Sequence, residues 1–157
     1  MTRENLLREL SGARAELLRA VEGVEPGSHT TPGIVGEWSV RELLAHLGYW
    51  AGHAVEAIHA AEDGRPGEHG LEDLPTEEVN ATVARVARET DIIAVRKREA
   101  ASFETLTSWL ARMDASLLDV ELGNGATVEQ EIRDDAVDHY REHAADLRAV
   151  LGARSNA

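Results

Sequence analysis

The sequence predicts an all-α protein, a bundle of four principal helices. Three observations carry that reading. Apolar residues recur at three- and four-residue steps over most of the 157-residue chain, no period-2 run of useful length is present, and two segments open with capping-box signatures. Four segments of about 15–25 residues and one extra helical piece between the second and third fit a bundle. The long stretch 62–100 demands a crossover instead of a tight hairpin.

The elements follow in order. Residues 3–22 place Leu6, Leu10, Ala13, Leu17 and Val21 on one stripe, and the glycines and prolines of VEGVEPGSHTTPGIVG end it. Ser39 and Glu42 form an S-x-x-E box, with Trp38 before the cap poised to staple onto Leu43. Leu43, Leu44, Leu47, Ala51, Ala54, Val55 and Ile58 continue that helix until DGRPGEHG. Thr76 is expected to cap a shorter run through Val79, Val83 and Val86. A third long helix starts near Ser102, with Phe103, Leu106, Leu110, Met113 and Leu117 on one side. LGNGAT then turns the chain, and Thr127 with Gln130 opens the last helix. Residues 1–152 read as one domain and 153–157 as a short tail.

Charge and composition narrow the function. Sixteen basic residues against 29 acidic ones give a net charge of −13, from which neither nucleic acid nor an anionic membrane surface is expected as a partner. No spanning segment or signal peptide is evident, so a cytoplasmic protein is expected. Zero cysteines exclude disulfides, thiolate metal sites and a cysteine nucleophile; thiol chemistry would need a thiol from outside.

The last helix contains HYREH. At about 100° per residue, Ile132, Ala136, His139, His143, Leu147 and Val150 fall within a sector of about 80°. Asp138, Arg141, Glu142 and Asp146 then point elsewhere. Two imidazoles one turn apart on an apolar stripe carry nitrogens that need partners, and a shared divalent cation satisfies both. With seven histidines in the chain, about 0.3 such pairs arise by chance, so a third ligand is needed to strengthen the motif. The second helix offers His46 and His53 on one side, and periodicity does not choose between them; His59 points away. His29 and His69 lie in loops and are expected to be solvated.

GEWSVRELLAHLGYW and DHYREHAADLRAVL, at opposite ends of a four-helix chain, resemble the DinB-like superfamily. That group includes mycothiol-dependent maleylpyruvate isomerases and bacillithiol transferases of the YfiT type. The resemblance implies an up-down-down-up bundle and a metal held by His46, His139 and His143, which favours His46 over His53. It also implies a low-molecular-weight thiol as cosubstrate beside a small-molecule substrate; three imidazoles plus water suit zinc, nickel or iron, of which zinc or nickel is the expected cofactor. The Ala-, Arg- and Glu-rich composition suggests a GC-rich genome, in which mycothiol is the expected thiol. The isomerases carry an extra C-terminal region that is not evident here, so the resemblance points to the superfamily and not to that reaction.

Around the proposed ligands, Trp50, His53, Asp135 and Tyr140 are pocket or supporting candidates. Asp135 lies one turn before His139, placed to orient it. For Trp50 and Tyr140 core packing is the expected role, with pocket wall as the alternative. Asn80, Arg85, Arg88, Arg96, Lys97 and Arg98 form a solvated face or a pocket wall, and RKR is the one strong basic patch. Three functional readings follow: a metal- and thiol-dependent transferase or isomerase, a metal-free ligand-binding or self-resistance protein, and a metal-free homodimeric interaction protein.

Overall fold

The computed structural model describes residues 2–71 and 73–155. Helix α1 spans Arg3–Glu22, α2 Val40–Glu62, α3 Thr76–Arg88 and α4 Ile92–Arg112. The C-terminal helix is composite: α5 (Val128–Ile132), a π-helical turn (Arg133–Val137) and α6 (Asp138–Ser155). Among the described residues no strand forms; isolated bridges join Val35 to Trp38 and Glu121 to Thr127.

Contacts between helices give their directions. Along α1 and α4 they run oppositely, Arg3 reaching the Met113 carbonyl and Arg14 reaching Glu99. Along α2 and α4 they run together, since Gly48 abuts Glu99 and His59 meets Trp109 edge-on. The same is true of α1 and the C-terminal helix, where Glu9 pairs with Arg133 and Glu16 with Arg148. This is the up-down-down-up bundle, with the crossover between its second and third long helices carrying α3.

Helix α2 sits centrally, with Leu43, Leu44, Leu47, Ala54 and Ile58 all buried. It packs chiefly on α4 and also on α3 and α5, while α1 packs chiefly on α6. The α2–α4 approach is close because residue 48 is glycine: a Cβ there would lie 3.0 Å from the Glu99 Cα. Glu99 is buried and fully engaged, accepting two 2.8 Å bonds from Arg14 and one of 2.7 Å from the Tyr140 hydroxyl. A buried carboxylate is tolerated at such cost only when paired and hydrogen-bonded in this way.

Several local expectations change. Thr127 and Gln130 form the full reciprocal box, but at α2 the Ser39 hydroxyl accepts from the Glu42 backbone and donates to the Glu42 carboxylate, which also pairs with Arg88. Pro75, not Thr76, stands at the cap position of α3. Helix α4 begins ten residues before the expected Ser102, because Asp91 caps it by accepting from the Ile93 amide. Its first turns bury little beyond Val95 and Glu99, so they show no apolar stripe. The helix ends at Arg112, and Leu117 lies in a following 3₁₀ turn.

The π-helical turn alters the last helix most. Its widened hydrogen bond runs from the Asp138 amide to the Arg133 carbonyl. The extra residue taken up there rotates everything downstream. The buried stripe therefore continues through Val137, Tyr140, Ala144 and Leu147. His139 and His143 lie at its half-buried edge, not in its middle as an uninterrupted 3.6-residue period predicts.

Candidate metal centre

At that edge the two histidines meet α2. His46 Nε2 lies 2.7 Å from His139 Nε2, and the ring centroids of His46, His139 and His143 are 4.5–5.3 Å apart. One nitrogen from each ring lies within 4.8 Å of the other two. The capped start of α2 sets the His46 position, and Trp38 tilts against its ring at a 4.7 Å centroid distance.

The backing of the rings selects the nitrogen each presents. His139 Nδ1 is 3.3 Å from the Asp135 carbonyl oxygen, and His143 Nδ1 is 3.1 Å from Asp146 Oδ2. Each ring thus keeps Nε2 for the cluster, the arrangement in which an outer acceptor fixes tautomer and orientation. Asp146 was expected to point away; it instead supports His143. His46 Nδ1 is buried without a hydrogen-bond partner.

Electrostatics hold the rings neutral. Burial, then repulsion from His139 and His143, lowers the His46 pKa to about 3. Burial and His143 lower that of His139 to about 4. Burial also lowers His143, against the pull of Asp146. Three neutral imidazoles with converging lone pairs suit a borderline divalent cation such as zinc or nickel.

The supporting candidates divide. The Asp135 carboxylate does not orient His139; only its backbone carbonyl does, while Oδ2 lies 2.6 Å from His53 Nδ1. Burial pushes that carboxyl up to about 6, with His53 opposing the shift. Trp50 donates from Nε1 to Asn80 at 2.8 Å and meets His53 edge-on, and Tyr140 is core. The loop histidines are not solvated. His29 is buried with Nε2 2.9 Å from the Val24 carbonyl, and His69 is buried beside Glu131. Glu131 and Asn124, which contact one another at 3.1 Å, carried no sequence signal as site residues.

The basic segment is distributed. Arg88 pairs with Glu42, Arg96 contacts His29, and Arg98 lines a cavity of about 500 Å³ among α2, α3 and α4. Ala45, Gly48, Val83 and Val86 give that cavity an apolar wall.

Residues 9–146 match the profile of the DinB superfamily, and the chain belongs to that family. No curated protein sequence is significantly similar to it. Among solved structures, an uncharacterised protein from Escherichia coli UTI89 superposes with a TM-score of 0.83 at 15% identity, covering 98% of this chain and 95% of that one. The colibactin self-resistance protein ClbS, solved in complex with a dsDNA, gives 0.77 at 16% identity over 95% and 94%. The mycothiol-dependent maleylpyruvate isomerase gives 0.77 at 16% identity over 94% of this chain and 61% of its own. At these identities the likeness is one of fold. The ClbS complex overturns the exclusion of nucleic acid drawn from net charge. Whole-chain charge is a sum, whereas DNA contact depends on where charges lie on the surface. No helix among the described residues is long and apolar enough to cross a membrane.

Proposed function

We propose that this DinB-superfamily chain is a metal-dependent transferase or isomerase that uses a low-molecular-weight thiol of the mycothiol or bacillithiol class. His46, His139 and His143 are its metal ligands, with zinc or nickel as the ion. The observation that carries the reading is the convergence of three neutral imidazoles, two of them backed through Nδ1. A divalent ion bound there supplies Lewis-acid chemistry, lowering the pKa of a water or thiol brought to it.

The chain's own residues do the rest. Three protein ligands leave a position open for exchange, as in catalytic centres. His139 and His143 are half-buried, so that side of the cluster meets solvent, while Trp38 covers the ring of His46. Asp146 and the Asp135 carbonyl hold the rings in register. The absence of cysteine is compatible with a thiol that arrives as cosubstrate.

Elemental analysis of untagged wild type beside His46→Ala and His143→Ala tests the centre. One equivalent of zinc or nickel held by this centre, lost in both variants, is expected, followed by turnover that requires an added thiol. Metal indifferent to both substitutions overturns the reading. The apolar cavity and the likeness to ClbS favour a second reading, a metal-free ligand-binding or self-resistance protein. Ligand binding unaffected by chelation, without thiol-dependent turnover, would select it.

A further inference from the structure

Two turns further along α2, on the same side of the bundle, a second cluster is built from different chemistry. We propose that His53, His69 and Glu131 form a second, buried divalent-cation site, suited to a first-row transition ion such as zinc, with the Asp135 carboxylate completing the donor set. Three observations carry this.

The first is spacing. Ligand atoms of His53, His69 and Glu131 lie within 4.8 Å of one another. Glu131 Oε1 is 3.3 Å from His69 Nε2 and 3.5 Å from His53 Nδ1. Donors about 2.1 Å from a common tetrahedral ion are separated by about 3.4 Å. Glu131 and the two imidazoles therefore have the dimensions of a coordination shell, and Asp135 Oδ2, 2.6 Å from His53 Nδ1, completes it by moving out of that hydrogen bond.

The second is burial and charge. His53 and His69 are each 8% exposed and Glu131 6%. Imidazole ligates a metal in its neutral form, so the two carboxylates give the donor set a charge of −2, which a divalent cation neutralises where burial makes uncompensated charge expensive. The mixed nitrogen and oxygen set favours a transition ion over calcium, which takes six to eight oxygens.

The third is preorganisation. His69 sits on a loop pinned by backbone bonds, the Gly123 amide reaching the His69 carbonyl at 2.9 Å. A Cβ on Gly123 would collide with that carbonyl and with the Gly67 oxygen, and one on Gly70 (φ +83°) would meet Asn124 at 2.6 Å. Both close approaches require glycine. Asn124, on the same pinned turn, donates to Glu131 Oε2 and so orients the carboxylate that His53 and His69 share.

This site does not depend on the three-histidine centre, and one experiment separates them. Zinc is titrated calorimetrically into the chelator-stripped full chain. Wild type should bind two equivalents, His46→Ala one, and His46→Ala combined with His69→Gln none; calcium should give no binding at either. A folded His46→Ala protein that binds no zinc overturns the second site and leaves the first standing. A His46→Ala protein that binds as much zinc as wild type, and loses it on Glu131→Gln, keeps the second site and removes the first. The unmodified chain provides a control against misfolded variants. Zinc should shift the ring ¹H–¹⁵N signals of His53 and His69, and signals that stay in place overturn the proposal.

Discussion

The two polar clusters both join α2 to the C-terminal helix, the second with His69 added from a loop, yet they solve the problem of interior polarity in opposite ways. His46, His139 and His143 are all bases, so each ring opposes protonation of the next, and the cluster stays neutral and half-open. His53, His69, Glu131 and Asp135 mix bases with acids, so each carboxylate finds an imidazole partner inside the cluster and the cluster can be closed. In the first, two nitrogens touch at 2.7 Å and must part to admit an ion; in the second, Glu131 already stands 3.3–3.5 Å from both imidazoles, and only Asp135, 2.6 Å from His53, must move. An open all-imidazole cluster suits exchangeable ligands and chemistry. A closed mixed cluster suits a structural ion. Asp135 joins the two, its carbonyl serving one and its carboxylate the other.

The largest break in this comparison should come from metal itself. Zinc at about 100 times its dissociation constant stabilises by about 2.7 kcal/mol per site. Thermal unfolding with zinc should therefore show a smaller gain in His46→Ala than in wild type. Next comes Asp135→Ala. It strips the carboxylate from His53 but leaves the carbonyl behind His139, so it should cost about 1–3 kcal/mol in urea unfolding. Zinc affinity of the three-histidine centre should move only a few-fold.

Acid should then pull the clusters apart in metal-stripped protein. His46 and His139 resist protons that the unfolded chain accepts below 6.5, so their contribution is present above that value and lost as pH falls toward about 4. Asp135 has the opposite sign: its raised pKa destabilises above about 6, and that burden is relieved as pH falls toward 3.8. Wild type should lose on the order of 3 kcal/mol between pH 6.5 and 4.5. Asp135→Asn should steepen that loss, and a shallower slope would contradict the assignment. The smallest effect belongs to Asp146→Ala. Asp146 is largely exposed, so stability should change by no more than about 0.5 kcal/mol. Zinc affinity should fall by up to about tenfold as His143 loses its orienting acceptor.

Much of this was legible in the sequence because it is local. The apolar periods of α1 and α2, the box at Thr127 and the H-x-x-x-H pair all depend on residues within a turn or two of one another. The resemblance of GEWSVRELLAHLGYW and DHYREH to a known family named His46 as third member of the cluster. Helix α4 was read short because its first turns face solvent and leave no stripe. His69 was read as solvated because nothing in a loop's own residues says that Gly123 will let another loop lie against it.

By itself, then, the sequence determined the helical class, the order of the elements and which side chains carry donor atoms, since these follow from short-range geometry along one chain. Only the tertiary structure decided which donors meet. It inserted a π-turn that moved His139 and His143 to the edge of the core. It turned the Asp135 carboxylate toward His53 instead of His139, and it brought His69 to Glu131 across 62 residues. Those pairings are set by how buried polar groups, once desolvated by packing, find partners across helices, a contest that no local pattern records.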